Sequence, residues 1–245
     1  MSVAATPARL AAMVDRRAAG LPLEHVLGWA QFCGLRIAVD AGVFVPRRRT
    51  EFLARQAAAL ARQGLAQPPA VLIAVDLCCG SGAVGAALLA ALELVELHAT
   101  DIDPAAVRCA RRNVATIGGQ VYEGDLYEPL PTSLHGRVDI LVANGPYVPT
   151  ESIGLLPPEA RIHESRVALD GGADGLDVLR RVVLAAPLWL TPGGHVLVET
   201  SERQAAHLVE TVARGGLVAR VASSEERNAT VVIGTKRGLR SGPGG

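Results

Sequence analysis

The sequence predicts an α/β protein: a doubly wound, Rossmann-like sheet of seven mostly parallel strands that ends in an antiparallel hairpin strand. Three observations predict it. Strand-like apolar runs alternate with helix-period segments from residue 71 to 214, the pattern of a parallel sheet covered by helices. A glycine-rich loop follows the first of those strands directly and opens a helix. The last two strand-like runs, near 217–222 and 228–235, are separated only by the polar turn Ser223 to Asn228, which suits a hairpin and not another crossover.

The elements follow in order. Thr6 to Ala19 has helical spacing, with Leu10, Met13 and Val14 on one side, and stops at Gly20 and Pro22. Pro22 to Pro46 alternates as a β-hairpin would, with Phe32, Leu35, Ile37 and Val39 before a turn at Asp40-Ala41-Gly42 and Val43 to Val45 after it. A helix over 49–63 and the linker Gln67-Pro68-Pro69 close an N-terminal region of residues 1–66. The main domain, 67–237, then runs strand 71–76, helix 82–92, strand 95–100, helix 104–116, strand 119–123 and strand 137–142. A loop and helix at 149–166, helix 174–189, strand 194–199, helix 203–214 and the final hairpin complete it, before a disordered tail over 238–245.

Composition narrows the function. Hydrophobic residues make up 49% of the 245 and aromatics 3%, so the core is aliphatic. The net charge of zero gives no global case for nucleic acid. Residues 1–70 carry nine Arg against four acids, and a solvated helix surface explains that excess better than a nucleic-acid footprint. Cysteines at 33, 78, 79 and 109 lack paired zinc-ligand spacing, and no apolar run reaches the length of a membrane span; a reduced, cytoplasmic protein without a bound metal is expected.

The glycine-rich loop carries the first chemistry. Val71 to Asp76 is a buried strand, and Leu77-Cys78-Cys79-Gly80-Ser81-Gly82-Ala83 follows as a tight turn at a helix's positive end. Gly80 to Gly85 satisfies the six-residue dinucleotide pattern, with Asp101 lying 21 residues beyond Gly80. Asp76, however, precedes the glycines, where it would repel a pyrophosphate and attract an ammonium group. Asp101, at the end of the next strand, can hold two ribose hydroxyls, and Asp125 after the third can accept from an adenine amine. Three acids at successive strand ends lie along one carboxyl edge of the sheet, where such folds bind ligands. Together they describe S-adenosylmethionine, with Cys78, Cys79, Gly80, Ser81, Gly82, Ile102 and Leu126 around it.

The stretch Asp139 to Tyr147 carries the second chemistry. A strand runs into Asn144-Gly145-Pro146-Tyr147, which in isolation is an ordinary turn. An amide or exocyclic amine nitrogen is a poor nucleophile because its lone pair is delocalised, so a catalyst must hold its N–H groups. Asn144 offers a side-chain carbonyl for this, the Gly145 C=O a second acceptor, Pro146 a fixed backbone and Tyr147 a flat face for a planar group.

With these residues in hand, the chain resembles the HemK-type release-factor glutamine methyltransferases over nearly all of residues 20–235. The matching blocks are Pro22 to Gly28, Val45 to Glu51, Asp76 to Gly82, Asp101 to Pro104, Gly124 to Pro129, Pro158 to Arg161 and Leu169 to Leu176. The resemblance implies a class I methyltransferase fold and metal-free methyl transfer from S-adenosylmethionine to a protein glutamine, with a peptide chain release factor as partner. It implies that Asn144 and the Gly145 carbonyl bind the amide while Tyr147 packs on it, and Arg47 is expected to reach the cofactor's carboxylate. The chain departs from the family's Asn-Pro-Pro-Tyr at Gly145, and it has one helix where the family carries a helical docking domain of about 70 residues. A small-molecule or peptide amide, an adenine amine, or a cofactor-binding protein without catalysis are the alternatives these departures leave open. His163 and Glu164 fall in a segment expected to overhang the substrate mouth.

Overall fold

The computed structural model describes residues 6–64 and 71–238; the expected linker at 67–69 and the tail beyond residue 238 lie outside them. Helix α1 (Pro7–Ala18) starts as its sequence directs, with Pro7 at the first helical position and the Thr6 hydroxyl accepting from the Arg9 N–H, yet it buries no residue. A short helix α2 (Leu23–Leu27) ends at Gly28, whose φ of 79° terminates it.

The hairpin that follows is smaller than the alternation suggests and turns elsewhere. Strands β1 (Trp29–Phe32) and β2 (Leu35–Ala38) pair antiparallel with Phe32 opposite Leu35, so the turn is Cys33-Gly34. Both residues have positive φ, 48° and 81°, as a two-residue loop matched to strand twist requires. The expected turn at Asp40-Ala41-Gly42 is a separate bend, closed by Val43 N–H donating to the Asp40 carbonyl. Beyond it the chain pairs through Gly42 with Glu164, over a hundred residues away, and not with β2.

Helix α3 (Glu51–Gly64) leads to the sheet. Strand β3 (Leu72–Leu77), helix α4 (Ala83–Ala91), strand β4 (Val95–Asp101), helix α5 (Pro104–Val114), strand β5 (Gln120–Glu123) and strand β6 (Val138–Ala143) form its first half. The expected loop and helix at 149–166 are 3-10 turns at Thr150–Leu155 and Arg166–Ala168 around a short α6 (Pro158–His163), with Pro149, Pro157 and Pro158 preventing a longer helix. Helix α7 (Asp177–Trp189), strand β7 (Leu190–Thr200), helix α8 (Glu202–Arg214), strand β8 (Val218–Ser224) and strand β9 (Ala229–Thr235) complete the chain.

The strand order is β5-β4-β3-β6-β7-β9-β8, and only β9 runs against its neighbours. Every residue of β3 is buried. Its side chains alternate: Ile73, Val75 and Leu77 pack with Leu179 and Val183 of α7 and Leu208 of α8, while Leu72 and Ala74 pack with Leu53 and Ala57 of α3 and Leu88 of α4. The sheet is covered on both faces, and its carboxyl edge carries the loops after β3, β4, β5 and β6. Among the described residues, no helix is long and apolar enough to cross a membrane.

Candidate active site

A cavity of about 270 Å³ opens at that carboxyl edge. The loop after β3 forms its floor, with Cys78 at φ 55°, Gly80 at 55° and Gly82 at 76°. A left-handed Cys78 is strained backbone held by its surroundings, a feature that concentrates at ligand sites. Cys78, Cys79, Gly80 and Ser81 line the cavity; Gly82 lies behind them as the N-cap of α4. Burial pushes both thiols up, so they are neutral loop residues and not nucleophiles.

Backbone N–H groups hold the first two acids. The Gly85 N–H donates to Asp76 Oδ2 at 2.9 Å. A Cβ on Gly85 would stand 2.8 Å from Leu97 Cδ2, so only glycine allows that approach. Asp76 is 2% exposed, and burial raises its carboxyl to about 7. A cation beside it would favour the ionised form. Asp101 accepts from Gly80 N–H at 2.7 Å and Asp103 N–H at 2.9 Å, each oxygen keeping capacity for a further donor.

Asp125 lines the same cavity but is paired with Arg181 of α7 at 2.6 Å. Arg181 had no signal in the sequence, being an ordinary polar position on a helix 56 residues downstream. Ile102 and Leu126 also line the cavity, Leu126 at φ 49°. Arg47 does not. It faces a neighbouring cavity of about 480 Å³ and holds Glu164 at 2.6 and 2.7 Å.

That second cavity is walled by Arg47, Arg49, Gly145, Tyr147, Leu156 and Leu169, among others, while Pro146 faces the first. Asn144, Phe44 and Ala168 belong to the wall the two cavities share. Asn144 Nδ2 donates to Thr50 Oγ1 at 3.2 Å, which turns its Oδ1 away from that contact. Tyr147 is fixed at both ends. Its carbonyl accepts from Gln204 Nε2 at 3.0 Å, its phenol donates to Glu199 at 3.5 Å, and the Arg49 guanidinium stands 5.5 Å from its ring centre. Burial, reinforced by the Glu199 charge, raises the phenol to about 12, so it remains a donor.

Glu164 is not an exposed lid residue: it is 6% exposed and also accepts from Val45 N–H at 3.1 Å, tying the 42–47 segment to the stretch that follows α6. His163, its neighbour, is half-buried at the end of α6. Thr50 and Glu199 carry little signal in the sequence, where a threonine before a helix and an acid near a strand end are unremarkable.

Comparison with known proteins identifies the chain's relatives. Residues 56–172 match the family model of the methyltransferase small domain. A release factor glutamine methyltransferase of Geobacter sulfurreducens is 36% identical over 237 residues, covering 95% of this chain and 80% of that protein. A 4-amino-L-phenylalanine/4-methylamino-L-phenylalanine methyltransferase of Streptomyces pristinaespiralis is 36% identical over 206 residues, covering 82% and 68%. A methyltransferase of Pyrococcus furiosus, 16% identical, shares the fold with a TM-score of 0.57 over 95% of this chain and 100% of that one. A class I sheet with three acids along its carboxyl edge, together with identity at this level over nearly the whole length, makes this chain a methyltransferase of the release factor glutamine methyltransferase family.

Proposed function

We propose that this protein transfers a methyl group from S-adenosylmethionine to the side-chain amide nitrogen of a glutamine in a protein, a peptide chain release factor by type. The observation that carries the reading is Asn144 on the wall shared by the two cavities, its nitrogen engaged by Thr50. A donor in the first cavity and a planar amide in the second would meet across that wall.

The first cavity's donor set fits the cofactor. Asp76, buried and raised to about 7, suits the methionine ammonium, and Asp101 suits two ribose hydroxyls. Asp125 retains one oxygen for an adenine amine while Arg181 holds the other. When bound, S-adenosylmethionine supplies a methyl activated by the adjacent sulfonium.

The chain's own contribution is alignment and electrostatics. Asn144 Oδ1 and the Gly145 carbonyl take the two amide N–H groups and turn the nitrogen lone pair toward the first cavity. The Tyr147 ring covers the amide plane, and Phe44 and Leu169 exclude water around it. Proton loss from the methylated nitrogen follows transfer. A cytoplasmic location belongs to this reading, supported by four cysteines that are all free.

The test is transfer of labelled methyl from S-adenosylmethionine to purified release factor carrying its Gly-Gly-Gln loop, with a Gln→Ala loop variant as control. Labelling of the first and not the second is expected. Labelling of neither, with cofactor binding intact, would overturn the glutamine acceptor and direct the search to small aromatic amines.

A further inference from the structure

Two arginines stand in the wall of the second cavity, and each is anchored by a buried carboxylate. Arg47 Nη2 reaches both oxygens of Glu164, at 2.6 and 2.7 Å, and Arg49 Nε donates to Glu199 Oε1 at 3.1 Å. Glu164 and Glu199 are 6% and 1% exposed, so packing holds both anchors in place. Each guanidinium also lies against an aromatic ring: Arg47 stands 4.9 Å from the ring centre of Phe44, and Arg49 5.5 Å from that of Tyr147.

These anchors engage one nitrogen of each guanidinium, which carries five N–H donors in a planar fork. Most of the fork is left over. Among the described residues, Nε and Nη1 of Arg47 and Nη1 and Nη2 of Arg49 donate to no acceptor in the protein. Both side chains stay partly exposed, while Phe44, Leu156 and Leu169 make the same cavity apolar. Charged donors fixed in an apolar recess favour an oxygen atom there.

Charge balance selects the kind of oxygen. The charged residues lining the cavity are Arg47, Arg49 and Glu159, and Glu159 is itself paired with Arg17 at 2.6 Å. With Glu164 and Glu199 included, three guanidiniums stand against three carboxylates. A neutral set offers N–H dipoles without a net field, which suits an amide carbonyl better than a carboxylate or a phosphate. Size agrees: a cavity of about 480 Å³ takes a ligand of drug-like bulk, and so a short stretch of main chain as well as one side-chain amide.

We propose that Arg47 and Arg49 form a main-chain subsite: their free N–H groups take the peptide carbonyl oxygens on either side of the acceptor glutamine. The enzyme thereby recognises an amide carried on a polypeptide and discriminates against the same amide on a small molecule. This deepens the glutamine-methylation reading above and rests on it for the identity of the methylated side chain.

The experiment sets Arg47→Lys and Arg49→Lys beside the wild type in the full-length protein. Lysine keeps a cation for the buried carboxylate but has no planar fork with donors to spare. Three acceptors are compared: acetyl-Gly-Gly-Gln methylamide, the same peptide with a free carboxylate, and butyramide, which is the side-chain amide alone. In the wild type, kcat/KM should be at least about 10-fold higher for the methylamide than for butyramide, and no lower than for the free carboxylate. Each lysine variant should lower the methylamide-to-butyramide ratio about 5- to 30-fold, a ratio that cancels damage common to both acceptors. S-adenosylhomocysteine affinity within about two-fold of wild type marks a variant as folded. A ratio unchanged in folded variants would overturn the proposal. So would a wild type that prefers the free carboxylate or does not distinguish peptide from butyramide, comparisons that need no variant to fold.

Binding separates the subsite from the chemistry. In the presence of S-adenosylhomocysteine, calorimetry should show the methylamide peptide binding the wild type, and each variant about 5- to 30-fold more weakly. That pattern without methyl transfer to any of the three acceptors would remove the glutamine-methylation reading and leave the subsite standing. No binding to the wild type, or equal binding to all three proteins, would overturn the subsite.

Discussion

The two cavities are built by different means. In the first cavity Asp76 and Asp101 are held by neighbours in the chain: Gly85 N–H on Asp76 spans nine residues, Gly80 N–H on Asp101 spans 21 and Asp103 N–H on Asp101 spans two, and only Asp125, paired with Arg181 across 56 residues, is held from a distance. In the acceptor cavity the contacts span 94 residues for Asn144 and Thr50, 117 for Arg47 and Glu164, and 150 for Arg49 and Glu199. The first is a by-product of forming the parallel sheet and its tight loops. The second exists only once the N-terminal segment 42–50 is clamped across the β6 loop by buried acids.

The sharpest way to break this division is Asn144→Ala, which should lower turnover by at least about 100-fold. S-adenosylhomocysteine affinity by calorimetry should stay within a few-fold; a comparable loss of binding would merge the two halves. Asp101→Ala should do the reverse, weakening S-adenosylmethionine binding roughly 10- to 100-fold through loss of charge-assisted hydrogen bonds. The acceptor KM measured at saturating cofactor should not move.

Acidity offers a third probe. Because Asp76 is raised from 3.8 to about 7 in the unliganded fold, its ionisation costs stability as pH rises through that window, and a bound ammonium reverses the preference. S-adenosylhomocysteine should therefore bind more weakly as pH falls below about 7, by up to about tenfold per unit, with proton release on binding. Asp76→Asn should flatten that profile, and a slope that survives the substitution would assign it to another group.

Glu164→Gln keeps an acceptor for Val45 N–H but loses the charge that holds Arg47. It should raise the acceptor KM about 3- to 10-fold at unchanged cofactor affinity. Its melting temperature should fall by about 3–6 °C. A cofactor defect in this variant would show that the clamp serves both cavities. The smallest effect is expected at Gly145, where a Cβ would meet Leu179 Cδ2 at 3.1 Å, Cys78 Sγ at 3.5 Å and Val178 Cγ1 at 3.5 Å. Gly145→Ala should cost about 1 kcal/mol of stability and no more than about threefold in kcat, because Leu179 must give by only a few tenths of an ångström. A loss as large as that of Asn144→Ala would make the loop's close packing on α7 part of the catalytic geometry.

The difference between the halves also explains what could be read in advance. Strand-end acids and loop glycines announce themselves, because parallel strands with short crossovers carry whatever follows them to one edge. Asp76, Asp101, Asp125 and the Asn144 loop share one edge for that reason. The N-terminal turn was misjudged because alternation over 22–46 does not say which pair of residues takes positive φ, and Cys33-Gly34 meets the two-residue loop better than Asp40-Ala41-Gly42. The attraction of Arg47 to a carboxylate is plain from sequence, whereas the carboxylate it meets, Glu164, is supplied by the fold.

The sequence by itself determined the sheet, its antiparallel last strand and the carboxyl-edge loops after β3 and β6, since each follows from periodicity and from residues within a few positions of a strand end. Only the tertiary structure decided that Asn144 meets Thr50, that Glu199 joins Arg49 to Tyr147, that Arg181 holds Asp125 and that Glu164 locks the segment behind Phe44. Those pairings cross 52 to 150 residues of chain and depend on where helices settle against a sheet, and no local propensity encodes that position.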